Sequence, residues 1–381
     1  MNLSKKFLFF LSIFLFQFLF STTYFIRVGI KSNIKSFYLS PYRKNKILFQ
    51  HKTKEVNVLK VNQKTICVFI KPDKIKILNK IYKLPIRLYS EGKLKINDGV
   101  YAGEIEVFSK DGKTINLVNI LNIESYLYGV VPYEIEPMWT DEMLKIQSII
   151  ARTYTIVNLN RHREDGFDVC STVHCQVYKG INENMELRIK KAVDSTKGLV
   201  VVDKKNEQPI QTYYHAVCGG ATENVTEVWP GLPYNIKALS GVKCDFCKNS
   251  PYYSWRQSFS LNEFILKLKN NGDDVGNKIK NIDILSKTEH GRIKNLQILG
   301  NKNKIEVSGE NLRRILGYNK IRSTKIYKIE IKDNKIIFYG KGWGHGVGLC
   351  QWGANELTKQ GKKFKEVIEY YYPKTKIKKL Y

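Results

Sequence analysis

Short apolar runs alternate with polar residues from residue 26 to about 120, and polar turns separate the runs. A period of two places every second side chain on one face of a strand, so this region is predicted to be β structure. Asp111 and Gly112 lie between a run that ends at Phe108 and one that starts at Thr114. Because both turn residues tolerate positive φ, the pattern predicts a β-hairpin there.

The apolar spacing becomes helical after Trp139. Thr140 is a suitable N-cap, and two acidic residues follow it in the first turn. We therefore predict a central helix at about 141–159. Its apolar stripe consists of Met143, Ile146, Ile150, Tyr154 and Val157.

The rest of the chain mixes short strand and helix patterns without regular β–α–β alternation. This mixture predicts an α+β fold, which we expect to be a β-rich, two-lobed body with a substrate cleft. The loop over 218–251 is long enough to be functional. Strands are predicted at 198–202, 211–215, 282–285, 296–298, 305–307 and 327–331, and helices at 310–316, 354–359 and 364–371.

The N-terminus carries a separate apolar segment. Lys5 and Lys6 precede an uncharged stretch over 7–26 that is long enough to span a membrane. A cleaved signal peptide also fits, but no small-x-small cleavage site is evident, so an anchor is favoured. We predict an anchor at 1–26 and a body at 27–381 that lies outside the cytoplasm, attached to the cell membrane by a single pass.

Composition and charge narrow the class of partner. The 381 residues include 63 Lys and Arg against 35 Asp and Glu, a net charge of +28, while 43% are hydrophobic. That is too apolar for a disordered basic tail. The charge reflects either a general compositional bias or an anionic polymer partner. An exported body makes nucleic acid an unsuitable partner and favours the cell wall. Seven cysteines, an odd number, exclude a complete disulfide framework.

Glu134 is the candidate general acid. It follows a strand-like run over 128–131, at a predicted strand-to-helix junction. Its apolar and aromatic neighbours in the sequence are Tyr133, Ile135, Met138 and Trp139. Apolar surroundings disfavour the ionised carboxylate, and a protonated glutamic acid can protonate a glycosidic oxygen. Glu136 keeps a two-carboxylate hydrolase open, because residues i and i+2 of an extended segment share a face.

Two cations on the predicted helix could contact substrate. Lys145 and Arg152 are seven residues apart and share a face distinct from the apolar stripe. That face points either at substrate or, as a solvated charged surface, at water.

Two groups of cysteines could bind metal. His162, Cys170, His174 and Cys175 supply two imidazoles and two thiols, a ligand set that zinc accepts. A Cys170–Cys175 disulfide or two unbound thiols is the alternative. Cys244-x-x-Cys247, with Cys218 upstream, forms a rival metal or redox site.

A glycine-rich run over 342–348 precedes Gln351 and Trp352. Alternate glycines allow tight turns or close approach to a ligand, and the lysine of a phosphate-binding loop is missing. Trp343 and Trp352 suit sugar stacking, or they pin a tight turn.

Seven motifs together resemble the stage II sporulation protein D family, also described as the amidase-enhancer domain. The resemblance covers nearly the whole chain after the apolar segment. Its motifs are Tyr101-x-Gly103-x-Ile105-x-Val107, Glu124-Ser125-Tyr126-Leu127-x-Gly129-Val130-Val131-Pro132-x-Glu134, Ala151-Arg152-Thr153-Tyr154, Cys175-Gln176-Val177-Tyr178-x-Gly180, Gly219-Gly220-x-Thr222-Glu223, Ser250-Pro251-Tyr252-Tyr253-x-Trp255 and the run over 342–354.

The resemblance implies a membrane-anchored lytic transglycosylase that cleaves peptide-stripped peptidoglycan during engulfment in endospore formation. It implies Glu134 as the catalytic acid and a structural zinc on His162, Cys170, His174 and Cys175. It also implies two protein partners, a cell-wall amidase and a membrane sporulation protein. A non-catalytic, glycan-binding enhancer of the amidase is the alternative. The expected substrate-binding residues are Lys145, Arg152, Gly219, Gly220, Glu223, Tyr252, Trp343, His345 and Gln351.

Overall fold

The computed structural model describes residues 24–43, 47–51, 56–59, 61, 63–90, 92–181, 187–232 and 237–381. It confirms a mixed α+β fold. Most of the predicted anchor lies outside the described residues, but Phe25 and Ile26 belong to the first strand instead. Among the described residues, no helix is both long and apolar enough to cross a bilayer.

The alternating N-terminal region forms two sheets, as its period predicts. Phe37 and Leu39 are buried while Tyr38 between them is exposed. The hairpin at Asp111 is confirmed, because the strands on either side pair antiparallel. The strands are β1 (Phe25–Ile34), β2 (Ser36–Pro41), β3 (Ile47–His51), β4 (Val56–Leu59), β5 (Thr65–Ile70), β6 (Lys74–Ile77), β7 (Lys80–Lys83), β8 (Ile86–Ser90), β9 (Lys93–Ile96), β10 (Gly99–Ala102), β11 (Glu104–Phe108) and β12 (Ile115–Asn122).

A mostly helical segment follows the sheets. Its elements are α1 (Ile123–Tyr128), α2 (Val131–Glu134), α3 (Asp141–Val157), β13 (Val169–Cys170), α4 (Leu187–Ser195) and β14 (Leu199–Asp203), with a 3₁₀ turn at Arg163–Asp165. With β13 included, the first sheet has the order β13-β1-β12-β11-β8-β3-β4 and the second β10-β9-β2-β5-β6-β7.

The strand predicted at 128–131 is wrong, because the chain there is the end of one helix and the start of another. The Asn122 side chain caps α1 by accepting a hydrogen bond from the Ser125 N–H at 2.8 Å. Pro132 lies in the first turn of α2, where its missing N–H costs no helical bond. A short apolar run such as this fits a buried helix end and a strand equally well.

The predicted central helix is confirmed as α3, which starts at Asp141 with Thr140 as its N-cap, as expected. The Thr140 hydroxyl accepts a hydrogen bond from the Met143 N–H at 3.1 Å. The helix ends at Val157, two residues earlier than predicted. Its middle is buried on all sides, not only along the apolar stripe, because helices pack on several of its faces.

A smaller core is inserted near the C-terminal end. It runs from Trp255 to Phe338 and is separate from the large core. The helix predicted at 310–316 is present and ends before Gly317. The elements are β15 (Tyr214–His215), β16 (Gly220–Ala221), α5 (Val225–Val228), β17 (Lys243–Cys244), β18 (Ser254–Ser260), α6 (Leu261–Asn270), β19 (Ile279–Lys287), β20 (Ile293–Gly300), β21 (Lys304–Ser308), α7 (Gly309–Leu316), β22 (Ile326–Lys332) and β23 (Lys335–Lys341), with 3₁₀ turns at Lys237–Leu239 and Asp245–Asn249.

The chain then returns to the large core. Its last elements are β24 (Leu349–Cys350), α8 (Gln351–Lys359), α9 (Phe364–Tyr371) and β25 (Thr375–Lys379). β24 pairs in parallel with β15, and β25 pairs antiparallel with β14. Both α8 and α9 contact α3. These pairings bring residues after 340 beside the helical segment that carries Glu134.

Candidate active site

Glu134 lies at the C-terminal end of α2 and is half-buried. The Val177 N–H donates a hydrogen bond to its Oε1 at 2.7 Å. The main-chain oxygen of Glu134 accepts a hydrogen bond from the Gln351 side-chain amide at 3.2 Å. Two distant segments therefore fix both the carboxyl group and the backbone of this residue.

Burial raises the pKa of Glu134 to about 7, although the Val177 N–H and the Tyr214 hydroxyl act in the opposite direction. The carboxyl group is therefore protonated in a large fraction of molecules at neutral pH. A carboxyl group with a pKa near the working pH can both donate and accept a proton.

Glu134 lines a cleft of about 810 Å³. Three of the predicted substrate-binding residues, Trp343, His345 and Gln351, line it as well. Trp229 also lines the cleft and packs against His345, with ring centroids 5.0 Å apart. The cleft thus combines one carboxyl group with aromatic and polar side chains, as in many ligand sites.

Two neutral histidines, His215 and His345, are among the residues that line the cleft. Nδ1 of His345 accepts from the Val347 N–H, so its Nε2 donates to the Tyr214 carbonyl oxygen at 3.0 Å. Burial lowers the pKa of His345 to about 3, and burial also holds the pKa of His215 well below its usual value. Nδ1 of His215 donates to the Val347 carbonyl oxygen at 3.1 Å. Its Nε2 is an acceptor without a hydrogen-bond partner within the described residues.

The glycine-rich run forms the tight loop that places Trp343 and His345. Gly344 has a φ of +106°, and a Cβ there would lie 2.7 Å from the Cβ of His215. Glycine is required at this position for both reasons. The loop approaches the backbone of β15 closely, which brings His215 and His345 together.

The four predicted metal ligands lie together, and two of them, His174 and Cys175, line the cleft. The ligand atoms of His162, Cys170, His174 and Cys175 are all within 4.8 Å of one another. Nε2 of His162 is 3.4 Å from the Cys175 Sγ, and its Nδ1 is 3.0 Å from a carboxylate oxygen of Asp165. A carboxylate on the outer nitrogen is the usual way to orient a metal-binding histidine. The four residues can therefore hold one ion.

Lys145 and Arg152, which the resemblance places at the substrate, do not line the cleft. Lys145 forms an ion pair with Glu142 at 2.8 Å. Arg152 is fully buried, and its Nε and Nη2 contact the two carboxylate oxygens of Glu124 at 2.9 and 2.6 Å. The face they share is therefore interior at Arg152, whereas Lys145 near the start of α3 is partly exposed.

Four other predicted substrate-binding residues lie beside or below the cleft and not in its lining. Tyr252 packs edge-on against Trp343, with ring centroids 4.9 Å apart. Glu223 is buried with Arg292, at 3.7 Å, and accepts a hydrogen bond from Thr288. Gly219 and Gly220 follow Cys218 in the turn beneath the glycine-rich loop, in which both have positive φ. These residues support the loop that carries Trp343.

Glu136 is exposed and does not line the cleft, so it does not sit with Glu134 as a paired carboxylate. The expectation of a shared face fails because α2 ends between them and the chain turns at Ile135.

Tyr214, Trp229 and the Val177 N–H belong to the site but are not predicted from the sequence. Val177 stands in a quoted motif, yet no pattern indicates that its N–H faces Glu134. Tyr214 lies within the strand predicted at 211–215 and gives no functional signal. Only the folded chain brings these groups together, because more than 40 residues separate Glu134 from the nearer of them.

Comparison with known proteins identifies the family. The family model "Stage II sporulation protein" matches residues 111–202. Stage II sporulation protein D of Bacillus subtilis is 31% identical over 277 residues, which cover 68% of this chain and 75% of that protein. The chain belongs to the stage II sporulation protein D family. The matched region contains Glu134 and all four residues of the first metal cluster.

Two further relatives and a second family model also match this chain. An uncharacterized protein of Brachyspira hyodysenteriae is 34% identical over 300 residues, covering 73% of this chain and 78% of that protein. The amidase enhancer of Bacillus subtilis is 30% identical over 291 residues, which are 65% of this chain but only 40% of that larger protein. A second model, a domain of unknown function (DUF8618), matches residues 235–348. The inserted core, from Trp255 to Phe338, lies within the residues that this second model matches.

Proposed function

We propose that this family member is a lytic transglycosylase that cleaves peptide-stripped glycan strands of peptidoglycan during engulfment. The observation that carries the proposal is Glu134, a half-buried carboxyl group with a pKa raised to about 7, in a cleft lined by tryptophans. We further propose that the body acts outside the cytoplasm, held at the cell membrane by residues 1–26, beside a cell-wall amidase and a membrane sporulation protein.

One carboxyl group is sufficient for this reaction. Protonated Glu134 donates its proton to the oxygen that leaves between two amino sugars. As a carboxylate it then takes the proton of the substrate's own C6 hydroxyl, which closes an anhydro ring without water. The exposed position of Glu136 supports a mechanism with a single carboxyl group over a two-carboxylate hydrolase.

The surroundings of Glu134 suit a stripped glycan. Trp229 and Trp343 line the cleft and offer aromatic surface for sugar rings. A second hollow of about 1120 Å³ shares Tyr213 and Leu232 with the cleft. Its lining includes Lys204, Lys205, Lys237 and Lys374. Removal of the peptide stems exposes a lactyl carboxylate on every second sugar, and these lysines are suited to such a chain.

A second candidate function is a glycan-binding enhancer of the amidase. It is favoured by the similarity to a protein named amidase enhancer. In this case the cleft would hold the same glycan without cutting it.

The mass of the products tests these alternatives. Purified protein is incubated with amidase-treated peptidoglycan, and the released glycans are measured by mass spectrometry. We expect new anhydro ends. An absence of new ends would favour the enhancer, and products one water heavier would favour the hydrolase. A Glu136→Gln variant is the matched control, because it should give the same anhydro products as the unaltered protein.

We propose zinc as the ion held by His162, Cys170, His174 and Cys175, in a closed structural site that supplies no chemistry to the reaction. Its role would be to fix the segment from His174 to Val177, so that the Val177 N–H reaches Glu134. We expect a Cys170→Ser/Cys175→Ser variant to lose one equivalent of zinc and to unfold at a lower temperature. Elemental analysis of protein purified without chelator measures the first effect and thermal denaturation the second. Equal zinc content in the variant and the unaltered protein would contradict this assignment.

A further inference from the structure

A second set of cysteines meets beneath the glycine-rich loop, outside the family's matched region at 111–202. Cys244 lies in β17, Cys247 in the 3₁₀ turn that follows, Cys350 in β24 and Cys218 in the turn after β15. All four Sγ atoms lie within 4.8 Å of one another, and none of the four residues is more than 1% exposed. We infer that these four thiols form a second, tetrathiolate zinc site with a structural role. This inference does not depend on the proposed glycan cleavage.

The spacing fits a single ion. Two ligands of a tetrahedral zinc ion, each about 2.3 Å from the metal, lie about 3.8 Å apart. Cys218 Sγ and Cys247 Sγ are 3.4 Å apart, and no pair in the cluster exceeds 4.8 Å. In a four-iron cluster each thiolate binds a different iron, so the sulfur atoms lie much farther apart. The soft, all-sulfur ligand set selects zinc over the hard cations.

The surroundings of the sulfur atoms support thiolates and not four inert buried thiols. The Cys218 N–H points at the Cys350 Sγ at 3.2 Å, and the Gly220 N–H points at the Cys218 Sγ at 3.4 Å. The Tyr371 hydroxyl lies 3.1 Å from the Cys244 Sγ. Donors directed at sulfur offset the negative charge of metal-bound thiolates and orient them.

Arg292 is a buried cation beside the four cysteines, and it would offset negative charge on metal-bound thiolates. The guanidinium group of Arg292 is 1% exposed and donates from Nη2 to the Cys218 carbonyl oxygen at 3.0 Å. A zinc ion with four thiolates carries a net charge of −2, and Arg292 would offset part of it. Glu223 neutralises Arg292 only partly, because its nearest contact is long, at 3.7 Å.

The chain segments that meet here explain what the ion would do. Cys350 precedes Gln351, whose side-chain amide donates to the Glu134 carbonyl oxygen and to Gln147. Cys244 and Cys247 hold the loop that leads into the inserted core. An ion bound to all four would therefore fix the start of α8, and with it Gln351 and the glycine-rich loop, against Glu134.

Metal content tests the site. The full chain is purified without chelator, and its metal is measured by elemental analysis and native mass spectrometry. We expect two equivalents of zinc in the unaltered protein and one in Cys244→Ser/Cys247→Ser. Cys67→Ala is the matched control, because Cys67 is a buried free thiol outside both clusters, and it should retain two equivalents.

A second measurement keeps the test decisive if Cys244→Ser/Cys247→Ser fails to fold. The Cys170→Ser/Cys175→Ser variant leaves only the tetrathiolate site. After loading with cobalt, this variant should show the sulfur-to-metal charge-transfer absorption of four thiolates, about twice that of a two-thiolate site. Three results would each overturn the inference. The Cys170→Ser/Cys175→Ser variant could contain no metal, it could hold iron in place of zinc, or its four remaining cluster cysteines could be paired as disulfides.

Discussion

Replacing Glu134 by glutamine is expected to reduce glycan cleavage by at least about 100-fold, because a positioned general acid contributes roughly 10²–10⁴ to the rate. Glutamine keeps the shape of the side chain and can still accept from the Val177 N–H, but it has no proton to deliver. The rate at which anhydro ends form from amidase-treated peptidoglycan measures the effect. The Glu136→Gln variant controls for the loss of a nearby charge. Unreduced cleavage by Glu134→Gln would remove Glu134 from the reaction.

The pH dependence gives a second readout for the same residue. The first step needs protonated Glu134, and burial raises its pKa to about 7. We therefore expect kcat/KM to fall as the pH rises above about 7. A profile that stays flat to pH 9 would mean that another group supplies the proton.

Stability measurements show whether the Glu134→Gln variant is folded and also check the raised pKa. The unfolded carboxyl group ionises near its usual pKa of 4.5, whereas the folded one stays protonated up to about 7. The folded protein therefore loses stability as the pH rises from about 4.5 to 7, and glutamine escapes this loss. The free energy of unfolding of Glu134→Gln is compared with that of the unaltered protein at each pH. At 1.36 kcal/mol per pKa unit, this difference should favour the variant by on the order of 3 kcal/mol more at pH 8 than at pH 4. Thermal denaturation at both pH values measures the difference.

Replacing Arg152 by alanine is expected to lower the free energy of unfolding by about 3–5 kcal/mol, because it leaves a buried charge without its partner. The Glu124 carboxylate would keep only the Gly198 N–H, at 3.2 Å, and the Tyr381 hydroxyl, at 2.6 Å. Denaturation by urea, followed by circular dichroism, measures the loss.

A double variant separates the lost ion pair from the lost packing. Arg152→Met with Glu124→Gln removes both charges and retains most of the volume, so it should lose much less stability than Arg152→Ala. The resemblance to the family implies a different result for Arg152, a contact with substrate. If Arg152→Ala kept its stability and lost binding of glycan, that role would be correct and the structural one wrong.

The sequence predicts α3 and the hairpin at Asp111 well, because local patterns determine both. Thr140 caps the helix, and the turn tolerates positive φ at Gly112. The strand predicted before Glu134 fails because four apolar or small residues carry no period that separates strand from helix. Residues over 211–213 were likewise predicted as strand, and the strand there is only Tyr214–His215.

The candidate acid is predicted partly for the wrong reason. Sequence neighbours suggest that apolar side chains surround Glu134, yet Met138 is 75% exposed. The contacts of the carboxyl group are with Val177 and Tyr214, and that of the main-chain oxygen is with Gln351, all of them distant in the chain. Local composition cannot report such contacts, which depend on the tertiary fold.

The two cysteine clusters differ in how far spacing alone defines them. His162 to Cys175 lie within a short segment, and their ligand atoms meet as the sequence predicts. Cys350 is far from Cys244 along the chain, and it joins its cluster only through the pairing of β24 with β15. The helical spacing of Lys145 and Arg152 predicts the face they share but not what covers it.

The smaller core leaves and rejoins the rest of the chain at a single point. The Gly342 N–H donates to the Tyr253 carbonyl oxygen at 2.7 Å, so a short synthetic joint there could excise residues 254–341. Glu134 and every cysteine of both clusters would remain. Arg292 and Thr288 would be removed, however, and with them the ion pair and the hydrogen bond of the Glu223 carboxylate. A shortened chain of this kind therefore has to replace these two contacts at position 223.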